Sequence, residues 1–550
     1  MQRTCRLSGV TFTLTERELR NCERLGVPPP SLSPDERHRR RTAYRNERNL
    51  YKRQCDATGK SLISIYPPEY PGKVYAQDYW WSDHWAGKDY GRDFDFERPF
   101  FDQIRELFRD VPQLSSVVTN SENCEFNSFC TGGKNCYMCQ RIADSEDIYY
   151  SYLPVKSRNC VDCYNISLCE LCYDVIDGEN CYNVRYSQNV VNCNNSSFLF
   201  NCRNCSNCFL SADLRNAEYY FHNEKLSKDE YQRKVAAYED LTFSLKRECW
   251  LAFRKLKATQ IVPLLWGNMN ENVTGNYIFQ SKNIHHGFDC IGGEDVAYAW
   301  GHIYGKDCID VNFTYHNDEC YEFISGIKSS RSHFCYGVYN SCYDVEYSFH
   351  CVNNCHDLFG CVGLKHASHC LLNKQYSENE YRALRERVVA HMRKTGEWGE
   401  FFPLEHSPFA YNETVAHEYF PLTKDEVLAR GWSWKTWPRE SGVRRTKPHE
   451  IPDSITDVTD EICGELLVCE NCGNDYKIQR QELQFYRTMK LPIPRFCVDC
   501  RYINRMVLRN PRVLFKRSCA QCQTPIETSF APDRPEQVFC EACFLVSVSR

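Results

Sequence analysis

With 550 residues, of which 42% are hydrophobic and 25% charged, the chain has room for two to four domains of ordinary globular composition. No run of about 18 apolar residues occurs, which excludes a membrane-crossing helix, and the opening MQRTCRLSGVTFTLTERELR lacks the apolar stretch of a secretory leader. The 35 cysteines therefore read as reduced thiols and metal ligands in the cytoplasm, and the net charge of −5 conceals two basic ends.

Residues 1–53 hold thirteen Lys/Arg against six Asp/Glu, and residues 477–517 hold eleven against two, so the rest of the chain is strongly acidic. Two basic ends on an acidic middle point to contact with a polyanion at the ends. The expected organisation is a small N-terminal module at 1–88, a linker and helix at 89–119, a first cysteine-rich half at 120–225, a helix at 226–260, a second half at 261–375, a helix at 376–396, a linker at 397–462 rich in Pro and Trp, and a C-terminal module at 463–550.

Within 1–88, Thr58-Gly59-Lys60-Ser61 imitates the end of a phosphate loop, but no glycine stands five positions before Gly59, and nucleotide binding is not expected there. The thirteen cysteines between Cys124 and Cys208 are all separated by multiples of three. Columns at a period of 21 are also visible: Cys139, Cys160, Cys181 and Cys202; Cys130, Ser151, Cys172 and Cys193; and an asparagine column of Asn159, Asn180 and Asn201. Fixed-period columns of small residues signal a solenoid, and a coil of this length suits a parallel β-helix. Nine further cysteines between Cys290 and Cys370 recur at a looser spacing of about 19–22. Both halves close alike, with NEKLSKDEY at 223–231 and NKQYSENEY at 373–381, each carrying a Ser three residues before a Glu in the capping-box pattern. Apolar residues at helical spacing follow: Tyr231, Val235, Tyr238, Leu241 and Leu245 in one, Tyr381, Leu384, Val388 and Met392 in the other. The fold class expected is mainly β, a parallel β-helix-like solenoid in two halves with capping helices, flanked by small zinc-ribbon modules. Small apolar packing is the favoured role of the interior cysteines, and metal loading of their CxxC pairs the alternative.

The C-terminal module carries two four-thiolate sets, Cys469, Cys472, Cys497 and Cys500, then Cys519, Cys522, Cys540 and Cys543. Two CxxC turns supply a closed tetrahedral shell for Zn²⁺ with no position left for substrate, so two structural zinc ions per chain are expected. Residues 469–505, with CxxCG, ELxFY and P-R-x-C-x-x-C-R, resemble the family described as probable zinc-ribbon, and 519–543 resemble a second small ribbon with a CxxC-x17-CxxC pattern. With DYGRDFDFERPFF at 89–101 and EYFPLTKDEVLARGW at 418–432, the whole layout resembles a bacterial family of cysteine-rich zinc-ribbon proteins; the resemblance implies architecture and zinc but no activity.

Shifted by 464 positions, the C-terminal module aligns without gaps over residues 4–80, with 19 identities in 77 positions. Of eight ligand positions the N-terminal copy keeps Cys5 and Cys55; the others are Ser8, Ser33, Glu36, Thr58, Ala76 and Tyr79, so this copy is expected to hold itself by packing of Tyr75, Tyr79, Trp80, Trp81 and Trp85. Because the basic residues survive in both copies, the leading functional expectation is a cytoplasmic scaffold binding nucleic acid, RNA in preference, through Arg39, Arg40, Arg41, Arg487, Arg495, Arg501, Arg505 and Arg509 interleaved with aromatics. The alternatives are a protein-binding solenoid with no nucleic-acid role and a β-helix enzyme acting on carbohydrate, which would need a cluster of carboxylates along one face. No Ser-His-Asp order, HExxH or glycine-rich phosphate loop is present, so no catalytic residue is assigned.

Overall fold

The structure is a computed structural model that describes residues 1–437 and 445–548; the remaining part of the expected 397–462 linker lies outside them. Strands dominate, in two large parallel-rich sheets of twelve and nine strands formed by the two cysteine-rich blocks. Among the described residues, no helix is long and apolar enough to cross a membrane.

The repeat is twelve residues, not 21. Tyr152 pairs with Tyr164, which pairs with Ile176, which pairs with Gln188. Parallel lines with the same step run through Glu146, Arg158, Glu170 and Tyr182, through Tyr137 and Tyr149, and through Thr131 and Ala143. These four lines lie three residues apart along the chain. Every third residue, such as Asn135, Met138, Arg141, Asp144 and Asp147, has a left-handed backbone, and the residue after it points inward. Asn and Asp tolerate that conformation better than other residues with a Cβ, which explains why they recur there. The inward rule has a period of three, so cysteines fall into apparent columns at any multiple of three; 21 is such a multiple but not one of twelve. Cys139 is followed one repeat later by Ser151 and then Cys163, and the side chain of Asn180 donates to Asn192 rather than stacking on Asn201. The second block steps by eleven at its start, as in Glu271 to Lys282, then by twelve, as in Ile309 to Tyr321, or by thirteen where one residue is inserted, as in Tyr343 to His356.

The interior thiols are free and buried, and they are hydrogen-bonded. Cys139 Sγ donates toward Tyr137 O and Ile148 O, each at 3.3 Å, while Ser145 Oγ reaches Ala143 O and Pro154 O, the same two positions relative to itself. Cys and Ser are thus interchangeable inward residues: each is small and each satisfies carbonyls turned in at the corners.

Both capping boxes form, at Ser227 with Glu230 and at Ser377 with Glu380. The first helix is shorter than its periodicity suggests. It runs Lys228–Val235, continues as a single tight turn, and restarts at Phe243–Ala258 under a new cap from Thr242. The restart lays Cys249 and Phe253 against the outside of the first block, whereas Glu378–Thr395 is continuous and ends on Gly396 in the left-handed conformation.

Candidate metal centres and arginine rows

The two terminal modules share one fold at an offset of 464. Strand Tyr51–Gln54 pairs with Ser61–Ser64 as Phe515–Ser518 pairs with Pro525–Thr528, and the helices beginning at Glu16, Pro34 and Gln77 correspond to those beginning at Arg480, Val498 and Glu541. The knuckle turn survives loss of metal: Gly9 N donates to Cys5 O at 2.9 Å as Gly473 N does to Cys469 O at 3.0 Å, and Ala76 N reaches Cys55 Sγ at 3.3 Å as Cys540 N reaches Cys519 Sγ. The phosphate-loop lookalike at Thr58–Ser61 is the second such knuckle.

In the C-terminal module the donor atoms of Cys469, Cys472, Cys497 and Cys500, and those of Cys519, Cys522, Cys540 and Cys543, each gather within 4.8 Å of one another. Cys497 caps the helix Val498–Leu508, and Asn471 Nδ2 donates to Cys500 Sγ at 3.3 Å, so backbone and side-chain donors face the thiolates. Burial raises the thiols of Cys469 and Cys519, but the surrounding N–H groups outweigh it and bring them down to about 7 and about 6. Four soft anionic donors in a compact set fit a tetrahedral metal ion, and the two sets fit two ions.

In the N-terminal copy Ser33 caps Pro34–Thr42 in the place of Cys497, and Glu36, in the place of Cys500, turns to Arg39 at 2.7 Å. Cys5 is still brought down to about 7 by the hydroxyl of Ser8 and nearby N–H groups, against its burial. Tyr75, Tyr79, Trp80, Trp81 and Trp85 form an aromatic cluster around Cys55, with Trp80 Nε1 donating to Pro112 O at 3.0 Å.

Most of the arginines expected to meet phosphate do not face solvent as a nucleic-acid surface would require. Arg501 reaches Asp162 at 2.5 Å and Glu482 at 3.3 Å; Arg505 reaches Asp162 at 2.9 Å; Arg509 reaches Asp177 at 3.0 Å and Asp289 at 2.7 Å. Arg40 lies between Glu322 and Glu400, Arg41 between Asp310 and Glu322, and Arg39 on Glu36 and the Phe420 ring. Arg487 and Arg495 are more open, on Asp460 at 2.6 Å and Asp453 at 3.4 Å. Five of the eight arginines expected to meet phosphate, Arg40, Arg41, Arg501, Arg505 and Arg509, are therefore set into the protein, for a physical reason the local pattern hid: each meets an acid hundreds of residues away in the chain.

These arginines form two equivalent rows. Arg37, Arg41, Arg45 and Arg48 plus 464 give Arg501, Arg505, Arg509 and Arg512. Their partners correspond at an offset of 148 between the blocks. Arg37 meets Asp310 as Arg501 meets Asp162; Arg45 donates to Ser325 as Arg509 donates to Asp177; Arg45 lies over Phe129 at 3.5 Å as Arg509 lies over Tyr277 at 3.8 Å. Tyr298 and Tyr150 likewise reach Glu18 and Glu482. The docking is crossed where the rows begin, with Arg37 and Arg41 on the second block and Arg501 and Arg505 on the first, while the row ends reach the other block, Arg45 at Phe129 and Arg509 and Arg512 at Asp289. Against burial, which raises it, Arg509 and Arg512 hold Asp289 well below the usual carboxylate range. Around Arg48, Asp289, Tyr502 and Arg512 the rows border a cleft of about 800 Å³.

No family model and no curated protein matches this chain.

Proposed function

We propose that the chain is a zinc-fastened scaffold. Two Zn²⁺ ions hold the C-terminal module in the shape that seats Arg501, Arg505, Arg509 and Arg512. The two blocks are halves of a four-sided solenoid, with twelve residues to a coil, whose outer surface offers a docking face for another protein. The observation that carries this reading is the crossed pair of arginine rows: the cations conserved between the two modules meet acids of the blocks, so they serve assembly. Thiolate shells favour zinc over harder cations, and the many free interior thiols support a reducing compartment such as the cytoplasm.

RNA binding through Arg40, Arg41, Arg501, Arg505 and Arg509 would require these side chains to leave buried carboxylates, at a loss of several kcal/mol for each pair broken. The test is salt-dependent binding of single-stranded and duplex RNA by the intact chain, alongside its metal content. Two tightly held zinc ions per chain and no RNA binding at physiological salt are expected. Binding that weakens steeply with salt and is lost in Arg487→Ala with Arg495→Ala would overturn the reading in favour of a nucleic-acid surface on the exposed part of the ribbon.

A further inference from the structure

The two blocks are close repeats, so a place where they differ in chemistry stands out. Near the end of the second block, strand His356–Phe359 pairs with Ser368–Leu371, and near the end of the first Ser206–Ala212 pairs with Glu218–Phe221 in the same register at an offset of 150. At the left-handed corner of these repeats the first block has Asn207 with Tyr219 one repeat later, preceded by Ser206. The second block has Asp357 with His369 one repeat later, preceded by His356. Elsewhere the same corner-to-corner relationship brings asparagines into side-chain hydrogen bonds, as between Asn192 and Asn204 at 2.9 Å. Here it brings together a carboxylate and two imidazoles.

His356 Nδ1 lies 2.8 Å from Asp357 Oδ2, and His369 Nε2 lies 3.7 Å from the same oxygen; one donor atom from each residue falls within 4.8 Å of the others. Donors at about 2.0–2.2 Å from a tetrahedral ion are about 3.3–3.6 Å apart, a range these two distances bracket. The rings are held from behind. His356 stacks flat on Tyr343, with centroids 4.9 Å apart and planes 2° from parallel, and His369 packs edge-on to His356 and Tyr381. The three side chains remain 24–35% exposed, so the side away from Tyr343 and Tyr381 is open to water.

We propose that His356, Asp357 and His369 form a third metal site, distinct from the two thiolate sets, that takes a borderline divalent transition ion such as Zn²⁺, Co²⁺ or Ni²⁺. Two imidazoles and one carboxylate suit that class better than Mg²⁺ or Ca²⁺, which prefer oxygen shells, and three protein donors leave a position for water or an incoming ligand. The ion at this site is exchangeable, whereas ions in closed four-thiolate shells are held.

The experiment is a Co²⁺ titration of the intact protein whose thiolate sets are already filled with zinc. One further equivalent is expected, with weak d–d absorption and no thiolate-to-cobalt charge-transfer band; cobalt displacing zinc from a thiolate shell would show that band. His369→Ala and, separately, Asp357→Asn should weaken this equivalent by at least about tenfold, the loss that changes even outside the ligand shell produce. Both should retain the two thiolate-bound ions and the unfolding temperature of the parent, which shows that they fold. A titration without the third equivalent, or one whose third equivalent is as tight in both variants as in the parent, overturns the proposal.

Discussion

Arg501 and Asp162 join the C-terminal module to the first block through a 2.5 Å contact in which the two side chains are only 5% and 1% exposed. The two charges were placed 339 residues apart in sequence, and the same joint is made a second time by Arg37 and Asp310 at 2.8 Å. A buried pair is not in itself strong evidence of net stabilisation, since desolvation offsets much of the attraction, but removing one partner is costly because the other is left buried and alone. Arg501→Ala leaves the buried Glu482 without its cation and Asp162 with Arg505 alone, and should destabilise the docked module by about 3–5 kcal/mol. Arg487→Ala, at a half-open pair with Asp460, should cost no more than about 1 kcal/mol. Denaturant unfolding of the two variants side by side checks this; equal losses would mean that the row does not dock the module.

Acid should loosen the second block through two buried imidazoles. His302, whose Nδ1 lies 2.7 Å from Thr314 Oγ1, and His350, whose Nδ1 has no hydrogen-bond partner, are each pushed down to about 4 by burial. Because the folded state lowers their affinity for a proton, the unfolded chain binds more protons between pH 6.5 and pH 4. Stability is therefore fully present above about pH 6.5 and falls as pH drops through about 4, by about 3 kcal/mol for each group. His350→Phe keeps a ring against Tyr336 and removes one proton site, so its stability should decline less steeply over that window. Parallel acid titrations of the variant and the parent would reject the assignment if their slopes are the same.

Much of this architecture was legible in the sequence, and what was missed has a definite cause. The duplication at an offset of 464 could be read because identities such as Cys5 with Cys469 and Arg37 with Arg501 need only a shift of the chain against itself. The eight thiolate positions could be read because CxxC turns are local. The repeat length could not be taken from the cysteines alone, because every inward position permits a small residue and only the pairing of corners, such as Asn180 with Asn192, separates twelve from other multiples of three. The fate of the arginines was hidden for a different reason. Charge along a segment is local information, but whether Arg509 meets a phosphate or meets Asp177 and Asp289 depends on which block the module lies against. His356, Asp357 and His369 escaped notice with the repeat, since only a step of twelve sets His369 over Asp357.

An inward thiol should tolerate a hydroxyl and resist a larger apolar group. Cys139 donates to Tyr137 O and Ile148 O and accepts from Ser151 N at 3.4 Å, contacts that Ser makes at equivalent places in neighbouring repeats. Cys139→Ser should cost less than about 1 kcal/mol, while Cys139→Leu overfills the repeat and loses those bonds, for about 1–3 kcal/mol. Thermal unfolding of the pair separates this from a metal-binding role, in which both changes would lower metal content.

The two thiolate sets should part with metal at different rates. Three of the first four ligands, Cys469, Cys497 and Cys500, are buried, whereas in the second set Cys522 is exposed and Cys540 and Cys543 are half-buried. A chelator reaches an ion from its open side, so release followed with a colorimetric indicator should be biphasic, with one ion in each phase. Cys522→Ser should abolish the fast phase, and Cys472→Ser the slow one. A single phase that both substitutions diminish alike would show that the two sets do not act as independent fasteners.

The N-terminal module retains enough of its ancestral shape for a metal site to be rebuilt. Its knuckle keeps the Gly9 N to Cys5 O bond, Ser33 occupies the capping position that Cys497 fills in the other copy, and Ser8 already hydrogen-bonds Cys5. Ser8→Cys, Ser33→Cys and Glu36→Cys together would complete a four-thiolate set with Cys5. The change frees Arg39 from Glu36, but that pair lies at the edge of the row, and Arg37, Arg40 and Arg41 keep their partners in the second block. With cobalt as the probe, the thiolate-to-cobalt band of the fully loaded protein should grow by about half, from two four-thiolate shells to three. A band that stays at its parental strength would mean that the backbone around Cys5 has relaxed beyond the geometry a tetrahedral ion requires, and that packing by Phe12, Leu14 and Leu32 now fixes the module in a shape of its own.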